Sequence, residues 1–297
     1  MYNQIDSNKR NSVILVLTFF IILIGLGYAF DYFYGTAEFP YFWLMIGVAI
    51  SFFMTLISYF QGDKIALYMS GAKQIGKEEN KYVFNMVENL CLTAGVPVPK
   101  VYIIEDSSIN AFATGRKPAV ASIAVTRGAI EKLANEELEG VIAHELSHIG
   151  NYDIRFMTLV AVLVGAIAIL ADMFWRIGYL GRHRSSSNDR GGGNSIVLIV
   201  GIVMVILSPI VAELIKLAIS RKREYLADAS GALLTRYPEG LARALEKIGQ
   251  ENQPLKIKST ATAHLFIANP FASSKLKSIF STHPPIEERI KKLRSMA

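Results

Sequence analysis

Residues 135–150 read Asn-Glu-Glu-Leu-Glu-Gly-Val-Ile-Ala-His-Glu-Leu-Ser-His-Ile-Gly, and the rest of the chain is best read outward from them. Asn135 is a good N-cap, and Glu136 and Glu137 in the first turn suit the positive end of a helix. Leu138, Ile142, Leu146 and Ile149 then recur at helical spacing and make one apolar stripe. His144, Glu145 and His148 fall on the adjoining face, so packing does not consume them. Histidines at i and i+4 lie one above the other, and both imidazoles reach one metal ion. Glu145 points close to the same spot, where it takes a proton from a water activated by the metal instead of binding it. Two surface histidines on a charged helix are the bland alternative. Apolar surroundings and the membrane-like run that follows count against it.

The chain has 297 residues, 52% hydrophobic and only 19% charged, too apolar for a typical soluble domain. The excess lies in four runs, residues 13–30, 40–60, 156–175 and 195–212. Each is about as long as a bilayer-spanning helix. None has the polar residues at a 3.6 period that a core helix would show. The first run lacks a small-x-small cleavage site and a second follows at once, so it reads as a retained anchor. Lys9 and Arg10 precede the first run, while Lys64, Lys73 and Lys77 follow the second; the connection between them holds Asp31 and Glu38 and no base. The positive-inside rule then puts the N-terminus and the region after residue 60 in the cytoplasm and the first loop outside. Cys91, the one cysteine, allows no internal disulfide and reads as a small buried apolar residue.

The second apolar pair is less clean. Its connection carries Arg176, Arg182, Arg184 and Arg190, and residues 179–194 read as a flexible Gly/Ser/Arg linker. Two full spans, or a hairpin dipping into the cytoplasmic leaflet, would both keep the flanking regions on one side; spanning is the favoured reading. The net charge of +6 suits basic residues beside anionic lipid, and no basic stripe with interleaved aromatics points to nucleic acid.

In the first polar region the pattern predicts a helix over 80–94 stopped by Gly95, and strands over 100–105, 110–114 and 119–126. In the second it predicts a long helix over 214–234 ended by Pro238 and Gly240, a helix over 241–248, and a final amphipathic helix marked by Ile286, Ile290 and Leu293. A catalytic zinc needs a third protein ligand and an open position. His183 sits in the linker, His264 reads as a structural or surface residue, and His283 as a loop residue fixed by Pro284 and Pro285. Within residues 221–228, Glu224 and Asp228 stand at i and i+4 on one helix face. A solvated charged face explains most such pairs. Here Glu224 can serve as a ligand, and Asp228 can hydrogen-bond a ligand histidine.

His144-Glu145-Leu146-Ser147-His148 with Asn151 and Asp153, then Arg223-Glu224-Tyr225-Leu226-Ala227-Asp228, then Ser281-Thr282-His283-Pro284-Pro285, resembles the M48 family of membrane zinc metalloproteases. The nearest likeness is to its heat-shock membrane protease type, HtpX, and it covers nearly the whole chain. The resemblance implies one zinc per subunit held by His144, His148 and Glu224, with Glu145 as general base. It makes Asp228 a supporting residue and His283 a donor to the substrate oxyanion. Asn110, Ala111, Phe112 and Ala113 match the family's stretch near the substrate cleft, where an exposed strand edge would bind an extended peptide.

The expected fold is a mainly α integral membrane protein with about four hydrophobic helices and a small α+β zincin-like (gluzincin) metalloprotease domain. Residues 1–60 form a transmembrane hairpin, 61–155 a cytoplasmic catalytic region, 156–212 a second hydrophobic hairpin, and 213–297 a second catalytic region. The expected activity is zinc-dependent cleavage of cytoplasmic parts of misfolded or damaged membrane proteins, a stress-response role in the bacterial inner membrane. Expected partners are membrane-protein and peptide substrates and the lipid bilayer, without nucleic acid and with self-association left open. Two other readings are a specialised peptidase of the prenyl-protein processing type and a non-enzymatic scaffold with a structural zinc. Four apolar runs are too few for the first, and the scaffold would need a saturated four-ligand site.

Overall fold

The computed structural model describes residues 2–34, 36, 38–167, 220–251, 260–267 and 284–296. It begins with two long apolar helices, α1 (Tyr2–Tyr34) and α2 (Phe42–Met69). Segments Ile5–Gly25 and Leu44–Met69 are long and apolar enough to cross a membrane. Outward side chains such as Ile21, Met45 and Phe53 are exposed, as a lipid-facing surface requires. Asp31 closes the hairpin by accepting the Leu44 N–H at 2.7 Å. At 33 residues, α1 is about 50 Å long, longer than the roughly 30 Å hydrocarbon core. Its N-terminal turns therefore reach into the polar domain. α2 also overruns the boundary expected at residue 60, because Ala66 and Leu67 are buried against that domain.

A four-stranded mixed sheet follows, in the order β1-β2-β4-β3. Its strands are β1 (Ala72–Gln74), β2 (Lys100–Ile104), β3 (Ala111–Thr114) and β4 (Ser122–Thr126). β2 and β4 pair in parallel; the two outer strands pair antiparallel. The expected strand over 119–126 keeps only its second half. Residues Pro118–Val120 turn as a 3-10 helix, where Pro118 has no N–H to offer a ladder. β1 was not expected: Ala-Lys-Gln has no strand propensity of its own, and pairing with β2 makes it a strand.

α3 (Lys81–Ala94) starts where Asn80 accepts the Val83 N–H and stops at left-handed Gly95. After the short α4 (Arg127–Lys132) comes α5 (Asn135–Gly150). Its cap differs from expectation. Ala134 is the N-cap, and Glu137 reaches back to accept the Ala134 N–H at 2.7 Å. Asn135 is thereby the first helical residue, and its side-chain Oδ1 accepts the Tyr82 hydroxyl at 3.2 Å. The predicted stripe Leu138, Ile142, Leu146 and Ile149 is fully buried, packed with Val83, Leu90 and Ile123 in the main core.

Residues 151–152 turn the chain by 86° into α6 (Asp153–Ile167), with Tyr152 in the left-handed region at φ 60. The third apolar run is thus helical over its described part, and Phe156, Leu159 and Leu163 pack on Leu15, Phe19 and Leu23 of α1. Its remainder, the linker and the fourth run lie outside the described residues. α7 (Arg221–Thr235), α8 (Pro238–Gln250) and α9 (Ile286–Arg294) complete the domain. The start expected for α7 at 214 also lies outside the described residues. Its end is not set by Pro238 and Gly240: Arg236 caps it in the left-handed region, and Pro238 opens α8. Gly240 lies inside α8, where an added Cβ would come within 2.5 Å of the Glu136 carbonyl oxygen.

Candidate active site

α5 carries His144, Glu145 and His148 into a fully buried position beneath α7. Gly231 allows that approach. A Cβ there would come to 3.0 Å from the His144 backbone nitrogen. α7 can therefore lie directly on α5, and Glu224 and Asp228 face the histidines.

The two Nε2 atoms face each other at 3.2 Å. Glu224 Oε1 lies 3.6 Å from His148 Nε2, and its Oε2 lies 3.8 Å from His144 Nε2. The far side of each ring meets another carboxylate. His148 Nδ1 lies 3.0 Å from Asp153 Oδ2. His144 Nδ1 lies 2.9 Å from Asp228 Oδ1, off the axis of a directed hydrogen bond. Carboxylates at Nδ1 favour the tautomer with its proton there and its lone pair on Nε2. Two inward lone pairs 3.2 Å apart, beside a carboxylate, repel one another unless a cation lies between them. Two ligand atoms about 2.0–2.1 Å from a tetrahedral metal would themselves be about 3.3 Å apart. His144, His148 and Glu224 thus fit a metal ion, with donor atoms within 4.8 Å of one another.

Burial pushes the Glu145 carboxyl up to about 7; Glu224 adds to the rise, while His148 and the Ala113 N–H oppose it. Burial also lowers His144. For His148 the burial effect is overcome by the Asp153 hydrogen bond and by Glu224, leaving it at about 9, so a metal ion taking the Nε2 lone pair displaces a proton there.

Three supporting residues were not assigned a role from sequence. Arg289 of α9 is fully buried and grips Asp228 with two hydrogen bonds, of 2.8 and 2.7 Å. Burial alone would raise the Asp228 carboxyl; Arg289 and His144 hold it down at about 2. A signal for this did exist. Ile286, Arg289, Ile290 and Leu293 share one face, so the arginine stands on an apolar stripe. In sequence Asp153 is legible only as part of the HELSH motif. Asn8 of α1 is buried and donates to both Asp153 and the Asn151 carbonyl, so the first helix touches the support of His148. Nothing in the local sequence marks Asn8.

The expected substrate strand divides in two. Asn110 pairs its main chain with Thr126, and the Phe112 ring packs on Phe266, 4.9 Å between centroids. Ala111 and Ala113 are buried in the core but direct main-chain groups to the outer side of β3. There the Ala111 carbonyl accepts the Ile267 N–H at 3.0 Å and the Ala113 N–H meets Glu145. This edge of the sheet lies beside the general-base candidate, and in this state the chain itself covers part of it. His264 is buried, its Nε2 3.1 Å from the Met157 carbonyl oxygen, a structural position. His183 and His283 lie outside the described residues.

The family model for peptidase family M48 matches residues 77–297. The chain belongs to peptidase family M48. It is 45% identical over 295 residues to a protease HtpX homolog of Dictyoglomus thermophilum, covering 99% of this chain and 94% of that one. A protease HtpX homolog of Streptococcus uberis is 41% identical over 298 residues, covering 100% of both chains. The crystal structure of S. mikatae Ste24p aligns with a TM-score of 0.50 over 99% of this chain and 67% of that one. At 18% identity that likeness concerns fold alone. The resemblance drawn from the motifs at 144–153, 223–228 and 281–285 is therefore upheld: this M48 chain is a membrane protease of the HtpX type.

Proposed function

We propose that this M48 protease is a zinc-dependent endopeptidase of the bacterial inner membrane. It is multi-pass, its site faces the cytoplasm, and it cuts cytoplasmic parts of misfolded or damaged membrane proteins. The convergence of His144, His148 and Glu224 around a point beside buried Glu145 carries this reading. Three protein donors leave a position open, as a catalytic rather than a structural zinc requires. The bound ion would supply an electrophile for the scissile carbonyl and lower the pKa of a water toward neutrality. Glu145, near neutrality itself, takes the proton of the attacking water and returns it to the leaving amine. Asp228 and Asp153 hold the two imidazoles, and Arg289 keeps Asp228 ionised. His283, directly before Pro284 and α9, donates to the oxyanion. Ala111 and Ala113 offer main-chain groups to an extended peptide once Ile267 gives way, which favours broad sequence specificity. The site's short distance from α6, and the contact of α1 with Asp153, support substrates presented at the bilayer surface.

The test is the Glu145→Gln variant in detergent, with metal content and cleavage of an unfolded membrane protein measured together. It is expected to keep stoichiometric zinc and lose at least about a hundredfold in rate. The parental enzyme should stop when a chelator is added. Parental cleavage by Glu145→Gln would remove the assignment.

A further inference from the structure

A second site lies where the membrane helices meet the catalytic domain. A cavity of about 350 Å³ opens between the domain end of α2, the β3–β4 connection and α6. Four bases line it, Lys64, Lys100, Arg116 and Arg155, against one acid, Asp63. Among the described residues none of the four forms an ion pair with a carboxylate. The Arg116 guanidinium instead lies 4.8 Å above the Phe60 ring, and that of Arg155 lies 5.3 Å above the Tyr59 ring. Planar cations stacked on aromatics keep their N–H groups free for an anion. Two polar atoms on the walls are buried without a partner: Arg155 Nε, and the Oγ of Ser58, a residue only 2% exposed. Four bases gathered on one cavity without carboxylate partners suit an acceptor with several oxygens.

The cavity does not end there. Tyr59, Phe60, Arg155 and Leu159 also line a neighbouring groove of about 210 Å³. Its other walls include Val13, Val16, Leu17 and Leu56, apolar residues inside the two candidate membrane spans. The basic end therefore lies toward the catalytic domain, and the apolar end lies between the two candidate spans. A soluble anion would use only the first half; an acyl chain would use only the second.

We propose that this paired cavity and groove is a binding site for one anionic glycerophospholipid of the leaflet facing the catalytic domain. The phosphate is held by Arg116, Arg155, Lys64 and Lys100, and an acyl chain lies along α1 and α2. The lipid fills the seam between α2, α6 and the β3–β4 connection, and so fixes the angle at which the domain stands on the membrane. The inference depends on the membrane placement of α1 and α2, not on the peptidase reading.

The test uses the full-length protein in detergent, titrated with phosphatidylglycerol or phosphatidylcholine, with bound lipid counted by native mass spectrometry. Phosphatidylglycerol is expected to bind at least about fivefold more tightly, and removal of each arginine to cost about fivefold. Arg116→Gln with Arg155→Gln should abolish the preference. Val16→Trp, which fills the groove without touching a charge, should weaken both lipids. Equal binding of the two lipids would overturn the proposal, as would an unchanged preference in the double variant. So would full displacement by millimolar glycerol phosphate, which would mark a site for free phosphate. If the arginine pair does not fold, Lys64→Gln with Lys100→Gln, both exposed, carries the same expectation.

Discussion

At the residue scale, the site is a chain of buried charges, each made tolerable by the next. Glu224 and the histidines converge on one point; Asp228 and Asp153 hold the histidines; Arg289 and Asn8 hold those two carboxylates. Removing one partner of a buried pair leaves the other charge stranded, at a cost of about 3–5 kcal/mol. Arg289→Leu should therefore lower unfolding stability by about that much and weaken metal binding. Adding Asp228→Asn should recover part of the stability but not the metal affinity; denaturant unfolding with a chelator competition separates the two. Asn8→Ala is milder. It should lower metal affinity by roughly tenfold, although Asn8 lies in the first helix and far from the HELSH helix in sequence. An unchanged affinity would show that α1 supports the domain only by packing.

At the element scale, what matters is how closely α7 lies on α5. Gly231 sets that distance, so Gly231→Val should push α7 away from His144 by a few tenths of an ångström or more. Metal content and activity should then fall together while α5 keeps its core stripe, as circular dichroism and metal analysis would reveal. The helices themselves were largely legible, because their apolar periods are strong. α3, α5 and α9 fall where the pattern predicts them. Their ends were less so. The α5 cap passed from Asn135 to Ala134 because Glu137 satisfies the free N–H. The pattern makes Pro238 and Gly240 a stop, but proline suits a first turn as well as a break, and Gly240 answers a neighbour that the local sequence does not reveal. β1 owes its existence to β2 alone.

At the scale of the whole molecule, the long hairpin is part of the catalytic domain rather than a tether. Asn8 of α1 reaches Asp153, and the helix packs on α6 through Leu15, Phe19 and Leu23. Its predicted orientation, with the first loop outside, is open to labelling. Cysteine placed at Thr36, an exposed loop position, should react with an impermeant maleimide from outside intact cells. Native Cys91 should stay silent, since it is buried and its thiol is pushed up to about 11. Labelling of Thr36→Cys only after cell disruption would reverse the orientation.

The sequence by itself determined the metal-binding helix, the two first membrane helices and the family. The first two rest on spacing within one helix and on apolar runs, both local properties; the family rests on the resemblance of three short motifs, at 144–153, 223–228 and 281–285, each readable by itself. Tertiary structure alone decided which carboxylate meets which histidine, that Arg289 and Asn8 reach those carboxylates, and that the main chain of Ala111 and Ala113 faces Ile267 and Glu145. Those contacts join residues up to 145 positions apart. Their partners are chosen by how the helices cross, which no short stretch of sequence encodes.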